Sequence, residues 1–306
     1  MRIMTRFDVP VAAALDSPAL HRDARRPLTE CCRLGMLRDS RVSFNSQLVG
    51  KWVHRRYHEG MFADSEAGNV LAPTRTPWPD GFPDADIHAP ESRVKNHGSY
   101  SAAKAGDIRA SLDLVLNTLD DTAVERLRQY AGAMIIPVHG LEGVSVNTIP
   151  MAMAVCLSHH LGLAVFTDVV QTTRAAHTGA KGWWRLQSHA LFHGQVTRGT
   201  DYVLVDDFLG MGGTFANLRG YVEAKGGNVV HIQTLTGKPY SAKIALTPET
   251  LQALRGKHGN LESWWFSKFG YGFDALTESE ARYLGRAEDA DTIRARLAEA
   301  AREGDG

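Results

Sequence analysis

Residues 202–227 read YVLVDDFLGMGGTFANLRGYVEAKGG. An apolar run ends in two consecutive acids, Asp206 and Asp207. A turn carrying Gly210, Gly212 and Gly213 follows, and Thr214 opens a helical segment that closes near Gly226. A short apolar run bounded by turn signals reads as a strand covered on both faces. In an open parallel sheet, ligands sit beyond the carboxyl ends of the strands, which is where this loop falls. Glycines let backbone N–H groups come close to an anion. The helix N-terminus adds further donors and a partial positive charge, and Thr214 offers a hydroxyl. The residues Leu209, Gly210, Met211, Gly212, Gly213 and Thr214 therefore read as a phosphate cradle. The acids before it would repel that phosphate but suit hydrogen bonds from the hydroxyls of an attached sugar. A phosphate beside a diol describes a ribose 5-phosphate. The rival loops fail on spacing. A Walker A loop needs GxxxxGK followed by Ser or Thr, and a dinucleotide loop needs GxGxxG directly after the strand with no acid pair before it.

The same alternation extends on both sides of this stretch. AMIIPV (133–138), LAVFTDV (163–169) and NVVHIQTL (228–235) read as further strands, and NTIPMAMAVCLSHHLG (147–162) as a helix closed by Gly162. Strands alternating with helices predict an α/β fold with a parallel sheet flanked by helices. Before the first of these strands, residues 99–131 predict two consecutive helices with an apolar stripe of Ala103, Ile108, Leu112, Val115 and Leu119. Asp121 is the expected cap of the second. After the last strand the chain reads as helical. Thr247 precedes Pro248, Thr277 and Glu280 have capping-box spacing, and a final amphipathic helix places Ile293, Leu297 and Ala301 on one face.

The chain has 306 residues, with 34 basic and 34 acidic side chains. A zero net charge gives no support to a nucleic-acid binder that works through overall charge. Cys31, Cys32 and Cys156 form no CxxC pair, which suggests neither a disulfide framework nor a zinc ribbon and fits a reducing cytoplasm. No apolar run reaches the ~20 residues that span a bilayer, and the short VPVAAAL stretch near the N-terminus lacks a cleavage site. Residues 1–95 are rich in Arg and Pro and show no period, so they are expected to form a poorly ordered or partly helical extension. Its removal to about residue 90 is expected to leave the rest folded. Cys156, His159 and His160 share one helix without a fourth ligand, and no metal site is expected on the protein.

The segment VLVDDFLGMGGT (203–214) resembles the phosphoribosyl-pyrophosphate (PRPP) motif of the type I phosphoribosyltransferases. MIIPVHGLEG (134–143) sits where that family carries its pyrophosphate loop, and TTRAAHTGAKGWWRL (172–186) where it carries a mobile loop. SYSAAKAGD, IIPVHGLEGVSVNTIP, RAAHTGA and LTESEARYL together resemble one branch. These are bacterial phosphoribosyltransferase-domain proteins often met on mobile or plasmid-like elements, with no assigned acceptor. The resemblance covers about residues 96–300. It implies a phosphoribosyltransferase domain over 96–306, with helical additions at both ends. It also implies displacement of pyrophosphate from ribose C1 by a nitrogen acceptor, nucleobase-like or another small nitrogen compound.

In that reading Asp206 and Asp207 bind the ribose hydroxyls, and residues 209–214 hold the 5-phosphate. His139 and Gly140, with Arg174 and Lys181, receive pyrophosphate, and Mg²⁺ is carried mainly through PRPP. Arg174 is the expected catalytic cation of the mobile loop, although Lys181 stands where the branch has an acid. Arg185 is a further cation of that loop. Tyr100, Lys104 and Trp183 are weaker candidates for the acceptor site. The alternatives are a PRPP-binding regulator without turnover and a transferase that modifies a macromolecule. A homodimer is compatible with the reading.

Overall fold

The computed structural model describes residues 74–142, 145–173 and 182–304. Five parallel strands form the central sheet in the order β1-β9-β8-β2-β5. They are β1 (Asp86–Ala89), β2 (Met134–Pro137), β5 (Ala164–Val165), β8 (Asp201–Leu209) and β9 (Asn228–Gly237). Two small antiparallel pairs stand apart from it: β3 (Leu141–Glu142) with β4 (Ser145–Val146), and β6 (Val170–Gln171) with β7 (Phe192–His193). The helices in chain order are α1 (Glu91–Lys95), α2 (Tyr100–Lys104), α3 (Ile108–Thr118), α4 (Asp121–Arg126), α5 (Ile149–Leu161), α6 (Gly182–Gln187), α7 (Gly213–Ala224), α8 (Pro248–Phe269), α9 (Glu278–Gly285) and α10 (Ala290–Gly304).

Alternation along β8 builds the two layers. Val203 and Val205 face one side with Ile135 and Leu235, against Leu114, Val115, Ile149, Met153 and Leu157 of α3 and α5. Tyr202 and Leu204 face the other with Ile136 and Ile232, against Phe215, Leu218 and Val222 of α7. Each large apolar side chain taken from water contributes about 1.5–3 kcal/mol. Burial of this kind, more than intrinsic propensity, keeps the shorter helices in place. A third cluster holds the C-terminal helices together around the fully buried Trp265, Leu261, Phe273, Leu284, Ile293 and Leu297. Trp264 is only partly buried beside them, and on α10 Ala300 is buried where Ala301 is half-buried.

Several local expectations change. The two helices read over 99–131 are three, because Gly106 (φ 95°) breaks the first stretch and the chain turns extended at Leu119 and Asp120. Asp107 caps α3, accepting from Arg109 and Ala110 N–H. Asp120, and not Asp121, caps α4 by accepting from Ala123 N–H at 2.8 Å.

The larger correction concerns residues 74–95, which the sequence placed in the extension. Residues 1–73 lie outside the described residues, but from Thr74 onward the chain is part of the core. Strand β1 pairs in parallel with β9, in register Asp86 to Gln233 and Ala89 to Thr236. Its polar residues hide it from a hydrophobicity reading, and each is answered by a partner. Asp86 accepts from His231 Nε2 at 2.9 Å and from Arg126, and His88 meets Gln233 at 3.0 Å. Burial works to raise the Asp86 pKa, yet the bonds from His231 and Arg126 hold it well below the usual carboxylate range. Before β1 the Pro-rich segment runs as an irregular strap over α7. Arg219 donates to the carbonyls of Thr76 and Pro77, and Trp78 donates to the carbonyl of Leu276 at 2.7 Å. A strap fastened by side chains needs no period.

Candidate active site

From β2 the chain leaves through α5 to β5 on one side, then returns to β8 on the other. The carboxyl ends of β2 and β8 therefore flank a topological switch point, where α/β sheets bind ligands. The His139–Gly140 loop and the glycine loop after β8 lie at this point.

Strand β8 outruns its neighbour. Its pairing with β2 ends at Val205, whose carbonyl accepts from Val138 N–H at 2.8 Å, while pairing with β9 continues to Leu209 and Gly237. The acid pair, which the sequence placed at the end of the strand, thus lies inside it, because the strand runs on to Leu209. Past the end of β2, the Asp207 N–H donates to Asp206 Oδ1 at 2.8 Å. Asp207 Oδ2 accepts from Lys104 Nζ, at the end of α2, at 2.9 Å, with the two side chains 24% and 14% exposed. Both acids are half-buried and neighbour the glycine loop in sequence.

Gly212 caps α7 with φ 86°, a left-handed backbone that costs other residues about 1–2 kcal/mol. No side-chain cap bonds the start of α7, so its first N–H groups are not spent on a capping oxygen. The far side of the loop is braced. Thr277 Oγ1 donates to the Met211 carbonyl at 2.5 Å. Thr277 and Glu280 also form the capping box of α9. Arg75, from the strap, grips both oxygens of Glu280 at 2.6 and 3.0 Å and donates to Asn217 at 2.6 Å. A β-carbon on Gly213 would meet Glu280 Oε1 at 2.6 Å, which places this ion pair directly behind the loop. Burial would lower the Arg75 pKa, but the Glu280 carboxylate raises it well above the usual arginine value. Leu209 is the fully buried last residue of β8, and Met211 and Thr214 are half-buried. The Arg185 guanidinium of α6 lies where a β-carbon on Gly210 would go.

On the β2 side of the switch point, His139 turns inward. It is buried, and its Nδ1 donates to the Pro137 carbonyl at 2.8 Å. Burial lowers its pKa and the Pro137 bond only partly opposes this, so the ring is neutral near pH 7. Gly140 is packed against Gln171, whose Cβ would lie 3.0 Å from a β-carbon placed there. A larger residue would push the loop from its support. Arg174 and Lys181 lie outside the described residues.

Of the acceptor candidates, only Lys104 is shown here bonded to the acid pair. Tyr100 packs on the core layer of α3 and α5. Trp183 packs edge-on to Tyr283 at 5.0 Å, against the C-terminal cluster. The site's rim holds residues the sequence reading passed over. Phe208 is half-buried with Lys95 Nζ 5.6 Å from its ring centre. Glu91 bridges Lys95 and Lys238, the latter at 2.6 Å. Arg75 also escaped notice, since nothing local separates it from the other arginines of the N-terminal third. Thr277 and Glu280 were visible only as a helix cap.

No protein-family model matches the chain. It is 40% identical over 233 residues to Protein TraN of Escherichia coli, covering 75% of this chain and 52% of that protein. It is 38% identical over 151 residues to an uncharacterized protein of Haemophilus influenzae (strain ATCC 51907 / DSM 11121 / KW20 / Rd), covering 48% of this chain and 34% of that one. The chain thus spans about half the length of the first relative and a third of the second. Among solved structures, a purine phosphoribosyltransferase from Pyrococcus horikoshii Ot3 is 22% identical, with a TM-score of 0.29 over 42% of this chain and 75% of that one. The orotate phosphoribosyltransferase of Mycobacterium tuberculosis H37Rv, in complex with inorganic phosphate, is 16% identical. Its TM-score is 0.27 over 46% of this chain and 66% of that one. Likenesses at these scores add nothing to the strand order and loop geometry.

Proposed function

We propose that the switch point beyond the carboxyl ends of β2 and β8 binds PRPP and that the chain transfers ribose 5-phosphate to a nitrogen acceptor with release of pyrophosphate. One observation carries the reading. Asp206 and Asp207 stand at the switch point on the overhanging end of β8, followed at once by a glycine loop that opens a helix without a side-chain cap. Ribose hydroxyls and a 5-phosphate need these two surfaces next to each other.

In this reading the 5-phosphate takes N–H groups of the 210–214 loop and the Thr214 hydroxyl. Leu209 contributes only its place at the end of the strand. The acids accept from the ribose hydroxyls and stabilise positive charge as the C1–oxygen bond breaks. The electron pair of that bond leaves with pyrophosphate, the acceptor nitrogen's lone pair forms the new bond, and the nitrogen's proton is released. His139 is a neutral, inward ring, so the pyrophosphate contact from its loop is assigned to backbone around Gly140. Arg174 and Lys181 remain the proposed cations for pyrophosphate. Mg²⁺, if bound, would supply positive charge to offset that of pyrophosphate. It would be held mainly through the oxygens of PRPP, since a hard cation prefers phosphate and hydroxyl oxygens.

Calorimetry with Mg²⁺ and PRPP tests binding. The Asp206→Asn/Asp207→Asn double variant should lose it while melting as the wild type does. A screen of nucleobases, small amines and nucleic acids for pyrophosphate release tests turnover. Undiminished binding by the double variant would refute the ribose role. Tight binding with no release from any acceptor would refute transfer.

A further inference from the structure

We propose that Lys104 is a positioning residue for Asp207 and the built-in counter-cation of the acid pair, not a contact for the acceptor. The inference rests on the phosphoribosyl reading above.

The geometry is specific. Lys104 Nζ reaches Asp207 Oδ2 at 2.9 Å from an element 103 positions away. The lysine is not a loose surface side chain, because its helix is anchored. Ala103 beside it is fully buried, and its carbonyl accepts from Thr148 Oγ1 at 3.4 Å. Thr148 in turn meets Ser111 Oγ at 2.8 Å at the start of α5. The base of Lys104 is thus fixed to the helix that follows the His139–Gly140 loop.

Two consequences follow from the chemistry. A carboxylate offers about four lone-pair sites on two oxygens. With Lys104 on Oδ2, the carboxylate's rotation is set and Oδ1 remains to receive a ribose hydroxyl. The second consequence is electrostatic. PRPP is a polyanion, and two adjacent carboxylates at the ribose subsite oppose its approach. An ammonium on one of them removes a unit of that repulsion, and partial burial shields the pair from salt. The bond is charge-assisted and so stronger than a neutral one.

The test is calorimetric titration of the full chain with Mg²⁺ and PRPP in the absence of any acceptor. A residue that serves only the acceptor would leave this binding unchanged. Lys104→Met should weaken it about tenfold, equivalent to about 1.4 kcal/mol. Lys104→Arg, which keeps the charge, should recover most of the loss. Asp207→Asn should weaken binding further, and Lys104→Met/Asp207→Asn should be no worse than Asp207→Asn alone, since the two residues act as one unit. Thermal melting of each variant shows whether it is folded, and Lys104→Gln provides the same comparison if Lys104→Met is not. Wild-type affinity in Lys104→Met, or losses that simply add in the double variant, would overturn the proposal. Failure of the wild type to bind PRPP would instead remove the phosphoribosyl reading, and this inference with it.

Discussion

Thr277 donates its hydroxyl to the carbonyl of Met211 across 66 positions of sequence, at 2.5 Å. A residue of the C-terminal helical unit therefore fixes one peptide of the glycine loop. On the phosphoribosyl reading, holding that carbonyl toward the C-terminal unit keeps it from facing the 5-phosphate. Thr277→Val keeps the side chain's shape and deletes both this bond and the helix cap. It should weaken binding of inorganic phosphate or PRPP and cost about 1 kcal/mol of stability through the cap. Thr277→Ser should restore both. A phosphate titration and a urea melt on the same samples separate the two effects.

Arg75 and Glu280 are 2% and 1% exposed, so neither can lose its partner to water. Breaking a buried pair from one side is expected to cost about 3–5 kcal/mol. Arg75→Met should do so in equilibrium urea unfolding, leaving Glu280 buried without its counter-charge. A change below 1 kcal/mol would mean that Glu280 is neutralised in another way.

Truncation should show a sharp boundary. Removing residues 1–73 leaves every contact described here in place and should preserve a cooperative melt. Removing residues 1–90 deletes β1, the Arg75 pair and the Trp78 bond to Leu276. That product should unfold non-cooperatively or aggregate, contrary to the expectation drawn from sequence alone. Circular dichroism melts of the two products decide the matter.

Acid should destabilise the chain well above the carboxylate range. His88, His139 and His258 are buried, and burial holds each below its ordinary value of about 6.5. Above pH 6.5 these rings are neutral both folded and unfolded, and their contribution is fully present. As the pH falls below 6.5 the unfolded chain takes up protons that the folded chain refuses. Stability should drop by up to about 1.4 kcal/mol per pH unit for each such ring until its folded pKa is reached. Urea midpoints from pH 8 to 5 would show the slope, and His258→Asn should flatten it by one ring's share.

What could be read from sequence followed from local chemistry. The strand, glycine loop and helix over 202–227 announce themselves because apolar alternation, φ-permissive residues and helix signals are all near neighbours. The capping box of α9 is equally local. Strand β1 was illegible because DIHA has no apolar period, and its acid and histidine are satisfied by residues far off in sequence, on β9, on α4 and at the α4 cap Asp120. The crossing of Lys104 to Asp207 depends on where α2 lands, which spacing does not encode. The inward turn of His139 was hidden for another reason: its bond runs only two residues back, to the carbonyl of Pro137, but spacing does not say which way a ring turns.

The Arg75–Glu280 pair joins residues 205 positions apart. During synthesis the strap leaves the ribosome long before its partner exists. At about 5–20 residues per second, the guanidinium waits on the order of ten seconds or more for Glu280. The glycine loop is complete in sequence well before then but has no Thr277 behind it. A nascent chain halted ahead of α9 would carry the whole acid-pair and loop signature yet lack its brace, so on the phosphoribosyl reading competence to bind would arrive only once Thr277 and Glu280 had been made.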